Sequence, residues 1–415
     1  MTLARTADTK TSFAWTVTLL SVSVTLFWSA IYYSFAAMLP LWQAEEGWSQ
    51  TVLTALFAGS VLFSAVLAPP IGRLIDAGHG PALVASGAVW AVLILALAPF
   101  APNIWVFSAF WVSLGFAMAT TLYEPIFALV TRAYDAKARR SITIVTLIGA
   151  LAGTLAFPLV HALGEIGGWR LAAWVLAALL AFLAAPLHVY TAHRLETLAA
   201  KRGNPTARSK AETISAATVK TAGSGAPIGP SERRNLIIIT AAFALAGGSH
   251  GLIVNHILPM MASFGFSSDT AVLAASAIGP MQLLARLTVL GTEERLSARL
   301  ITMTSFAALG VSALCLMGSA ALPLLLIGFG ILQGYGYGSI SIMRPVLLRE
   351  SVGMAAFGAR SGLMARAYIG AIAFAPFLGS LLWQLGGYEL ALAICVVACA
   401  LASILTARLG RNANR

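Results

Sequence analysis

Apolar runs long enough to cross a lipid bilayer follow one another along nearly the whole chain. A helix needs about 20 predominantly apolar residues to span the hydrocarbon core of a bilayer. Only 10% of the 415 residues are charged and 59% are hydrophobic, whereas a soluble domain carries about 25% charged residues. Because each run is too long and too uniformly apolar for a barrel strand, we predict an all-α membrane protein.

Twelve runs of this kind are present, six on each side of one long polar segment. In the first half they are Ala14–Pro40, Thr51–Leu74, Ala82–Phe100, Ile104–Ala133, Ile142–Leu163 and Trp169–Val189. In the second half they are Leu236–Phe264, Thr270–Leu290, Leu300–Met317, Leu322–Leu348, Gly362–Leu385 and Leu390–Ala407. We therefore predict twelve transmembrane helices in two pseudo-symmetric six-helix bundles, residues 1–192 and residues 235–415.

The polar segment, residues 193–234, is rich in Ser, Thr, Gly, Pro and Lys. This composition cannot bury enough apolar surface to fold alone, so we predict a flexible linker between the two halves. The beginning of the segment, Val189–Lys201, could alternatively form an amphipathic helix on the membrane surface.

The orientation in the membrane follows from the distribution of Lys and Arg, which gather in cytoplasmic loops. With the N-terminus in the cytoplasm, 25 of the 26 basic residues lie on the inner side and only Arg170 lies outside. We predict a multi-pass protein of the cytoplasmic (inner) membrane with both termini and the linker inside. The basic residues behind the net charge of +11 then set the orientation of the chain and lie near anionic lipid, so we expect no nucleic-acid partner. The predicted outer loops carry acidic residues instead, namely Glu45, Glu46, Glu165, Asp269 and Glu389.

The three cysteines, Cys315, Cys395 and Cys399, all lie inside apolar runs and do not form a disulfide framework. Cys395 and Cys399 are four residues apart, so they share a helix face and could bind a soft ion such as arsenite. Packing as small hydrophobic side chains is the favoured alternative. No phosphate-binding loop, metal-ligand cluster or nucleophile triad is present in the sequence, so we expect no ATP-driven pump, no enzyme, no metal and no cofactor.

The loop between the second and third predicted helices contains Gly72, three further residues, Asp76 and then Gly78. This spacing resembles the corresponding loop of the major facilitator superfamily of secondary transporters, although Ala77 and Pro81 stand where basic residues are common. Two shorter segments, Gly47-Trp48-Ser49 and Gly168-Trp169-Arg170, resemble bacterial monocarboxylate and oxalate porters. A third pattern, formed by Gly149, Gly153 and Pro158, resembles the fifth helix of exporters.

The resemblance implies two bundles that rock about a substrate site near the bilayer midplane, with helices 1, 4, 7 and 10 lining the cavity. It implies a monomer whose partners are a small-molecule substrate, protons and membrane lipid, and in which Gly72 and Asp76 form a conformational loop. Export of a toxic compound, a drug or a trivalent metalloid such as arsenite, by proton antiport is favoured. Uptake of a small organic anion with protons is the alternative. A sensor that has lost transport would need a signalling domain, which the polar linker cannot supply.

Glu124 is the only acidic residue well inside a predicted span. A carboxylate in the membrane is costly and marks a functional site by default, so we predict that Glu124 is buried and couples transport to protons. Pro125 is expected to loosen the helix beside it. A structural ion pair with Arg286, Arg344 or Arg366 is the alternative.

His250 lies among Gly247, Gly248 and Gly251 in the seventh predicted helix. The glycines suggest either a bent or partly unwound helix, with His250 as a second proton-coupling residue, or close helix packing. Polar and aromatic side chains in the predicted cavity helices are candidates for substrate binding. They are Tyr32, Tyr33, Asn255, Gln333, Tyr335 and Tyr337. Arg286 could hold a substrate carboxylate or could extend to the cytoplasmic surface.

Overall fold

A computed structural model describes residues 2–134, 137–201, 229–292, 296–352 and 357–409 of the chain. These ranges are helical apart from short connections and contain no strand, which confirms the all-α prediction. The helices of the first half are α1 Thr2–Trp28, α2 Ser34–Glu46, α3 Gln50–Leu74, α4 Gly80–Leu97, α5 Ile104–Thr121, α6 Tyr123–Tyr134, α7 Ala138–Gly149, α8 Ala152–Leu179 and α9 Ala185–Lys201. Those of the second half are α10 Pro230–Ser263, α11 Ser268–Thr292, α12 Ala298–Gly318, α13 Leu325–Val352 and α14 Phe357–Ala407.

Nine helical segments within the described ranges are long and apolar enough to cross a membrane. They are Phe13–Glu46, Gln50–Phe100, Ile104–Tyr134, Arg140–Lys201, Pro230–Ser263, Ser268–Val289, Ala298–Gly318, Leu325–Val352 and Arg360–Ala407. This number of apolar helices makes the chain a multi-pass membrane protein.

Three of these segments, 51, 62 and 48 residues long, exceed the length that one crossing requires, which is about 20 residues. Each of them contains a glycine whose backbone leaves the helical region. These glycines are Gly78 at φ 91°, Gly168 at φ 68° and Gly387 at φ 71°. All three lie where the sequence predicts a loop between two successive membrane helices.

The chain divides into two compact units, Met1–Arg202 and Gly203–Arg415. The central part of the predicted linker, residues 202–228, lies outside the described residues. The two ends of that predicted linker are helical, because residues 193–201 continue α9 and residues 230–234 begin α10.

The first unit has an aromatic core, in which Trp42 and Trp111 pack edge to face with ring centroids 4.8 Å apart. Phe107 stacks on Trp111 at 5.5 Å, and Trp169 lies 6.2 Å from Trp42. Aromatic pairs at such distances contribute packing energy that does not depend on the hydrophobic effect. This matters in lipid, where helices associate through van der Waals contact.

Glycines bring the helices of the second unit into close contact. A Cβ atom on Gly334 would lie 2.7 Å from the carbonyl oxygen of Ile278, and one on Gly338 would lie 2.6 Å from that of Gln282. Both of these neighbours are on α11. Gly336, on the next face of α13, approaches the Ser305 carbonyl of α12 in the same way, at 2.7 Å. The three glycines therefore let α13 pack backbone to backbone against two neighbours.

Candidate functional site

A break between α5 and α6 determines where Glu124 lies. Leu122 has φ −85° and ψ −157°, outside the helical range. In a continuous α-helix the N–H of residue 125 would donate to the Thr121 carbonyl, but Pro125 has no N–H. The loosening predicted at Pro125 therefore takes the form of a complete break, and Glu124 lies in the first turn of α6.

The Glu124 side chain is exposed, so the prediction that this carboxylate is buried is wrong. The reason is the new helix start, because Pro125 and Ile126 take the buried face of α6 and leave Glu124 on the other face. The first turn of a helix is a favourable place for a negative charge. Within the first unit, no described basic side chain lies within ion-pair distance of Glu124.

His188 contacts the same break from α9. Its Nε2 lies 3.0 Å from the Thr121 carbonyl oxygen, and its Nδ1 lies 2.8 Å from the Ser23 hydroxyl of α1. The side chain is fully buried. His188 was not predicted as a site residue, although the sequence shows a histidine inside the apolar run Trp169–Val189 and a proline at position 125 inside the run Ile104–Ala133.

Tyr32 and Tyr33 lie in a five-residue π-helical turn, Ser29–Tyr33, between α1 and α2. Both rings are half-buried, and they belong to one aromatic cluster with Trp28 and Tyr123. Trp28 lies 4.8 Å from the ring centroids of Tyr32 and Tyr123. The cluster therefore adjoins Glu124, which follows Tyr123 in the chain.

The glycine pattern of the fifth predicted helix makes room for this cluster. A Cβ atom on Gly153 would lie 3.3 Å from the Tyr33 ring, and one on Gly149 would overlap the Tyr123 hydroxyl. Larger residues at these positions would displace the two tyrosines.

The two porter-like segments of the first unit lie close together, with the Trp48 and Trp169 ring centroids 6.4 Å apart. Glu45 accepts a hydrogen bond from the backbone N–H of Trp169 at 3.0 Å, and Glu46 accepts one from the Trp169 indole at 2.9 Å. Arg170 forms ion pairs with both carboxylates, at 3.6 Å to Glu45 and 2.7 Å to Glu46. The contacts tie the end of α2 to the turn inside α8.

Asp76 and Gly72 lie at the loop that resembles the transporter family, Asp76 in the π-helical turn Ile75–His79 and Gly72 near the end of α3. Asp76 is exposed and forms no ion pair with the side chains that the structure describes. Arg132 supports this loop instead, because it donates to the Ile75 carbonyl. Arg132 also forms a bidentate pair with Glu196 at 2.9 Å and 3.1 Å.

Three residues selected from the sequence meet in the second unit. Gln333 of α13 lies 3.0 Å from Nδ1 of His250 on α10, and the Tyr337 ring stacks on the imidazole with centroids 3.4 Å apart. The Ser312 hydroxyl of α12 donates to the Gln333 amide oxygen at 2.5 Å. His250 and Gln333 are buried, so the cluster is a hydrogen-bonded polar group inside three membrane-length helices.

α10 is helical from Pro230 to Ser263, so the suggested unwinding at His250 is wrong. Close packing explains its glycines. A Cβ on Gly247 would lie 2.5 Å from the Tyr368 ring, and one on Gly251 would lie 3.2 Å from the Ile372 carbonyl oxygen. Both contacts are with α14.

The other candidates of the second unit have separate surroundings. Asn255 is buried and donates to the Gly251 carbonyl of its own helix at 2.9 Å. Arg286 is 6% exposed and lies on α11, whereas Tyr335 is half-buried on α13. A second histidine of α10, His256, binds the Pro376 carbonyl oxygen through Nε2 at 2.7 Å.

Cys395 and Cys399 are buried within the second unit. The Cys395 thiol lies 3.9 Å from the Ser249 carbonyl oxygen, and the Cys399 Cβ would be 3.3 Å from a Cβ on Gly310. Among the described residues, no group of His, Cys, Asp or Glu side chains could hold a metal ion. The geometry therefore favours packing over ion binding by these thiols.

These features define a class of protein. The chain is a multi-pass helical membrane protein whose membrane-length helices enclose polar clusters. A sequence profile of the Major Facilitator Superfamily matches residues 17–292, and the chain belongs to this family. It is a secondary transporter and not an enzyme. No curated protein matches the sequence.

Solved structures of other transporters have a similar fold. A D-xylose-proton symporter has a TM-score of 0.67 at 12% sequence identity, over 95% of this chain and 98% of the symporter. A POT peptide transporter in complex with sulfate has a TM-score of 0.66 at 15% identity, over 94% of this chain and 93% of the transporter. At these identities the likeness concerns the fold.

Proposed function

We propose that the protein is a proton-coupled transporter that exports a small toxic compound across the cytoplasmic membrane, with Glu124 as the proton-coupling residue. One observation carries the proposal. The only acidic side chain well inside a predicted span is exposed at a helix break, without an ion pair to the described side chains of its own unit. Such a carboxylate can accept and release a proton as its access changes. The name of the D-xylose-proton symporter, a structural neighbour, supports coupling to protons.

The proposed topology has twelve transmembrane helices in two six-helix bundles, with both termini and the linker in the cytoplasm. Division of the three long segments at Gly78, Gly168 and Gly387 turns the nine described segments into twelve crossings. The bias of Lys and Arg toward one side supports the orientation. The proposed protein is a monomer surrounded by lipid.

The proposed substrate site in the second unit is the cluster of His250, Gln333 and Tyr337. Gln333 can hold the neutral imidazole in one tautomer through Nδ1, which leaves Nε2 to donate to an oxygen atom of the solute. In the first unit, the Tyr32 and Tyr33 rings offer an aromatic surface for an apolar part of the solute. Asn255 has weaker support as a substrate-binding residue, because its amide donates to the Gly251 carbonyl of its own helix. Tyr335 also has weaker support, because its half-buried position on α13 is the only observation that favours it.

Uptake of a small organic anion remains a second candidate, supported by Arg286. Arg286 is 6% exposed within a membrane-length helix, and a buried arginine can bind a carboxylate through two parallel hydrogen bonds. Export has the support of the glycine pattern at Gly149 and Gly153, which shapes the cluster beside Glu124.

Reconstituted vesicles that enclose a pH-sensitive dye test the proposed coupling. Ethidium, arsenite and lactate serve as probes for toxic cations, metalloids and organic anions. For the probe that the wild-type protein moves, we expect Glu124→Gln to lower transport driven by a pH gradient about tenfold or more. Exchange of labelled for unlabelled probe at equal pH should partly survive, because it needs no net proton movement.

Glu165→Gln is the matched control, because Glu165 is an exposed carboxylate near the turn inside α8. It should leave both assays unchanged. Full gradient-driven transport by Glu124→Gln would exclude the coupling role, and His250 would be tested next. Transport of lactate but of neither ethidium nor arsenite would favour uptake of an organic anion.

A further inference from the structure

We propose that His188 is a positioning residue that replaces the backbone donor missing at Pro125 and so holds the helix break that places Glu124. The break itself, and the bond from His188, do not depend on what Glu124 does. The importance of the break for transport rests on the proposed function of Glu124.

The Thr121 carbonyl is the acceptor that Pro125 leaves without a backbone donor. In a membrane-length helix no bulk water is at hand to satisfy such a carbonyl, so another donor must be found within the protein. The hydroxyl of Thr121 itself donates to Ala117 at 2.7 Å and is engaged elsewhere. His188 Nε2, at 3.0 Å, is the donor that the structure provides.

The imidazole of His188 is fixed on its other side by α1. The Ser23 hydroxyl lies 2.8 Å from Nδ1, and the Phe27 ring centroid lies 4.8 Å from that of the imidazole. With Nε2 protonated toward the carbonyl, Nδ1 of the neutral imidazole is the acceptor that faces the Ser23 hydroxyl, which also lies 2.9 Å from the Leu20 carbonyl oxygen. A single buried side chain thus links α1, the break and α9.

Gly87 of α4 supports the break from a further direction. A Cβ atom there would overlap the Thr120 hydroxyl and would lie 3.2 Å from Cγ2 of Thr121. The last residues of α5 therefore rest on the backbone of α4. Because Glu124 follows Thr121 by three residues, any shift of the Thr121 carbonyl moves the Glu124 carboxylate.

A double-mutant cycle between His188 and Pro125 tests the hydrogen bond in the full-length protein. Pro125→Ala restores a backbone N–H that can donate to the Thr121 carbonyl and makes His188 dispensable. We expect His188→Leu to lower the Tm by about 3 °C or more. In the Pro125→Ala background the same change should lower the Tm by less than about half as much. An equal loss of Tm in both backgrounds would overturn the proposal.

His256→Leu is the matched control. His256 is also fully buried and also binds a backbone carbonyl through Nε2, but it lies in the second unit. The decrease in Tm caused by His256→Leu should be the same with and without Pro125→Ala. If His188→Leu does not fold, His188→Met, which also lacks a donor, replaces it in both backgrounds.

The position of residue 124 is measured directly by cysteine labelling. Glu124→Cys is introduced after replacement of Cys315, Cys395 and Cys399 by Ala, and the rate of reaction with N-ethylmaleimide is recorded in detergent at several pH values. We expect His188→Leu to change this rate about threefold or more, and His188→Gln, which keeps a donor, to leave it close to the rate of the parent Glu124→Cys protein. His256→Leu should leave it unchanged.

The two proposals fail in different ways. An unchanged labelling rate with a coupled Tm cycle would show that His188 only stabilises the bundle, which overturns its positioning role. A coupled Tm cycle and a changed labelling rate would support the role of His188 at the break. If Glu124→Gln also kept full gradient-driven transport, the positioning role would stand and the proposed function would be overturned.

Discussion

Gly168 and Gly387 share one left-handed backbone conformation, with φ 68° and ψ −173° in the first unit and φ 71° and ψ −174° in the second. The preceding residues also match, with φ −156° and ψ 25° at Gly167 and φ −164° and ψ 29° at Gly386. An aromatic residue follows each pair in the sequence. This repeated turn supports the proposed pseudo-symmetry of the two halves.

Replacement of either left-handed glycine should destabilise the protein. At φ near 70° with ψ near 180° a side chain is strained, and a Cβ on Gly168 would lie 2.7 Å from the Glu45 carboxylate. We expect Gly168→Ala and Gly387→Ala each to cost about 1–3 kcal/mol, measured by thermal unfolding in detergent.

Gly47 is the control for this prediction. It has φ 67° and ψ 17°, a region that asparagine tolerates, and no atom lies within 4 Å of a Cβ placed there. Gly47→Asn should cost less than about 1 kcal/mol. An equal cost at Gly47 and Gly168 would show that this backbone region is not the source of strain.

The apolar runs predicted the helices well, because span length and hydropathy are properties of the chain itself. The Gly-Gly pairs also mark their turns directly in the sequence. The exposure of Glu124 could not be predicted, because it depends on which face α6 turns to its neighbours after the break. His188 and Glu196 were missed because their partners, Thr121 and Arg132, are distant in sequence and meet only after packing.

The proposed topology predicts the location of reporter domains. Fusions at Gly203 and Gly223, which lie outside the described residues, and at the C-terminus should all report a cytoplasmic position, because Lys and Arg gather at these sites. Paired reporters that are active on opposite sides of the membrane give the measurement. A periplasmic signal at any of the three positions would contradict the proposed orientation.

The cysteines should be dispensable for transport. Because Cys395 and Cys399 pack as small side chains, we expect replacement of all three cysteines by Ala to cost about 1–2 kcal/mol of stability in total. Vesicle transport of ethidium or lactate should persist at the wild-type rate per molecule. Specific loss of arsenite transport at an unchanged protein level would instead show that the thiols bind the metalloid.

Gln333→Leu should impair solute exchange more than it impairs folding. The change removes the partner of His250 Nδ1 and leaves a buried acceptor unpaired, which costs about 1–3 kcal/mol. We expect exchange of the transported probe to fall about tenfold. Ser339→Ala is the control on the same helix, because the buried Ser339 hydroxyl donates to its own helix at Tyr335. Equal losses of exchange in the two variants would argue against a substrate role for the cluster.

The pair of Arg132 and Glu196 should be energetically coupled, because it closes the loop beside Asp76. The two side chains are 28% and 22% exposed, with 2.9 Å between Nη2 and Oε1, so solvent screens the pair only in part. The bidentate geometry also depends on the planar guanidinium, which lysine cannot reproduce. Arg132 holds the Ile75 carbonyl as well, so its loss should cost more than the loss of Glu196.

A double-mutant cycle measures this coupling by thermal unfolding. We expect Arg132→Gln and Glu196→Gln to show a coupling energy of about 1 kcal/mol, and Arg132→Lys to lose most of it. Exchange of the two residues, Arg132→Glu with Glu196→Arg, should recover part of the stability but not the bond to Ile75. Arg73→Gln is the control, because Arg73 is exposed at the end of α3, and it should change stability by less than about 0.5 kcal/mol. Additive losses at Arg132 and Glu196 would mean that the carboxylate contributes nothing to the closure of the loop, and the Ile75 carbonyl would then be the contact through which Arg132 acts.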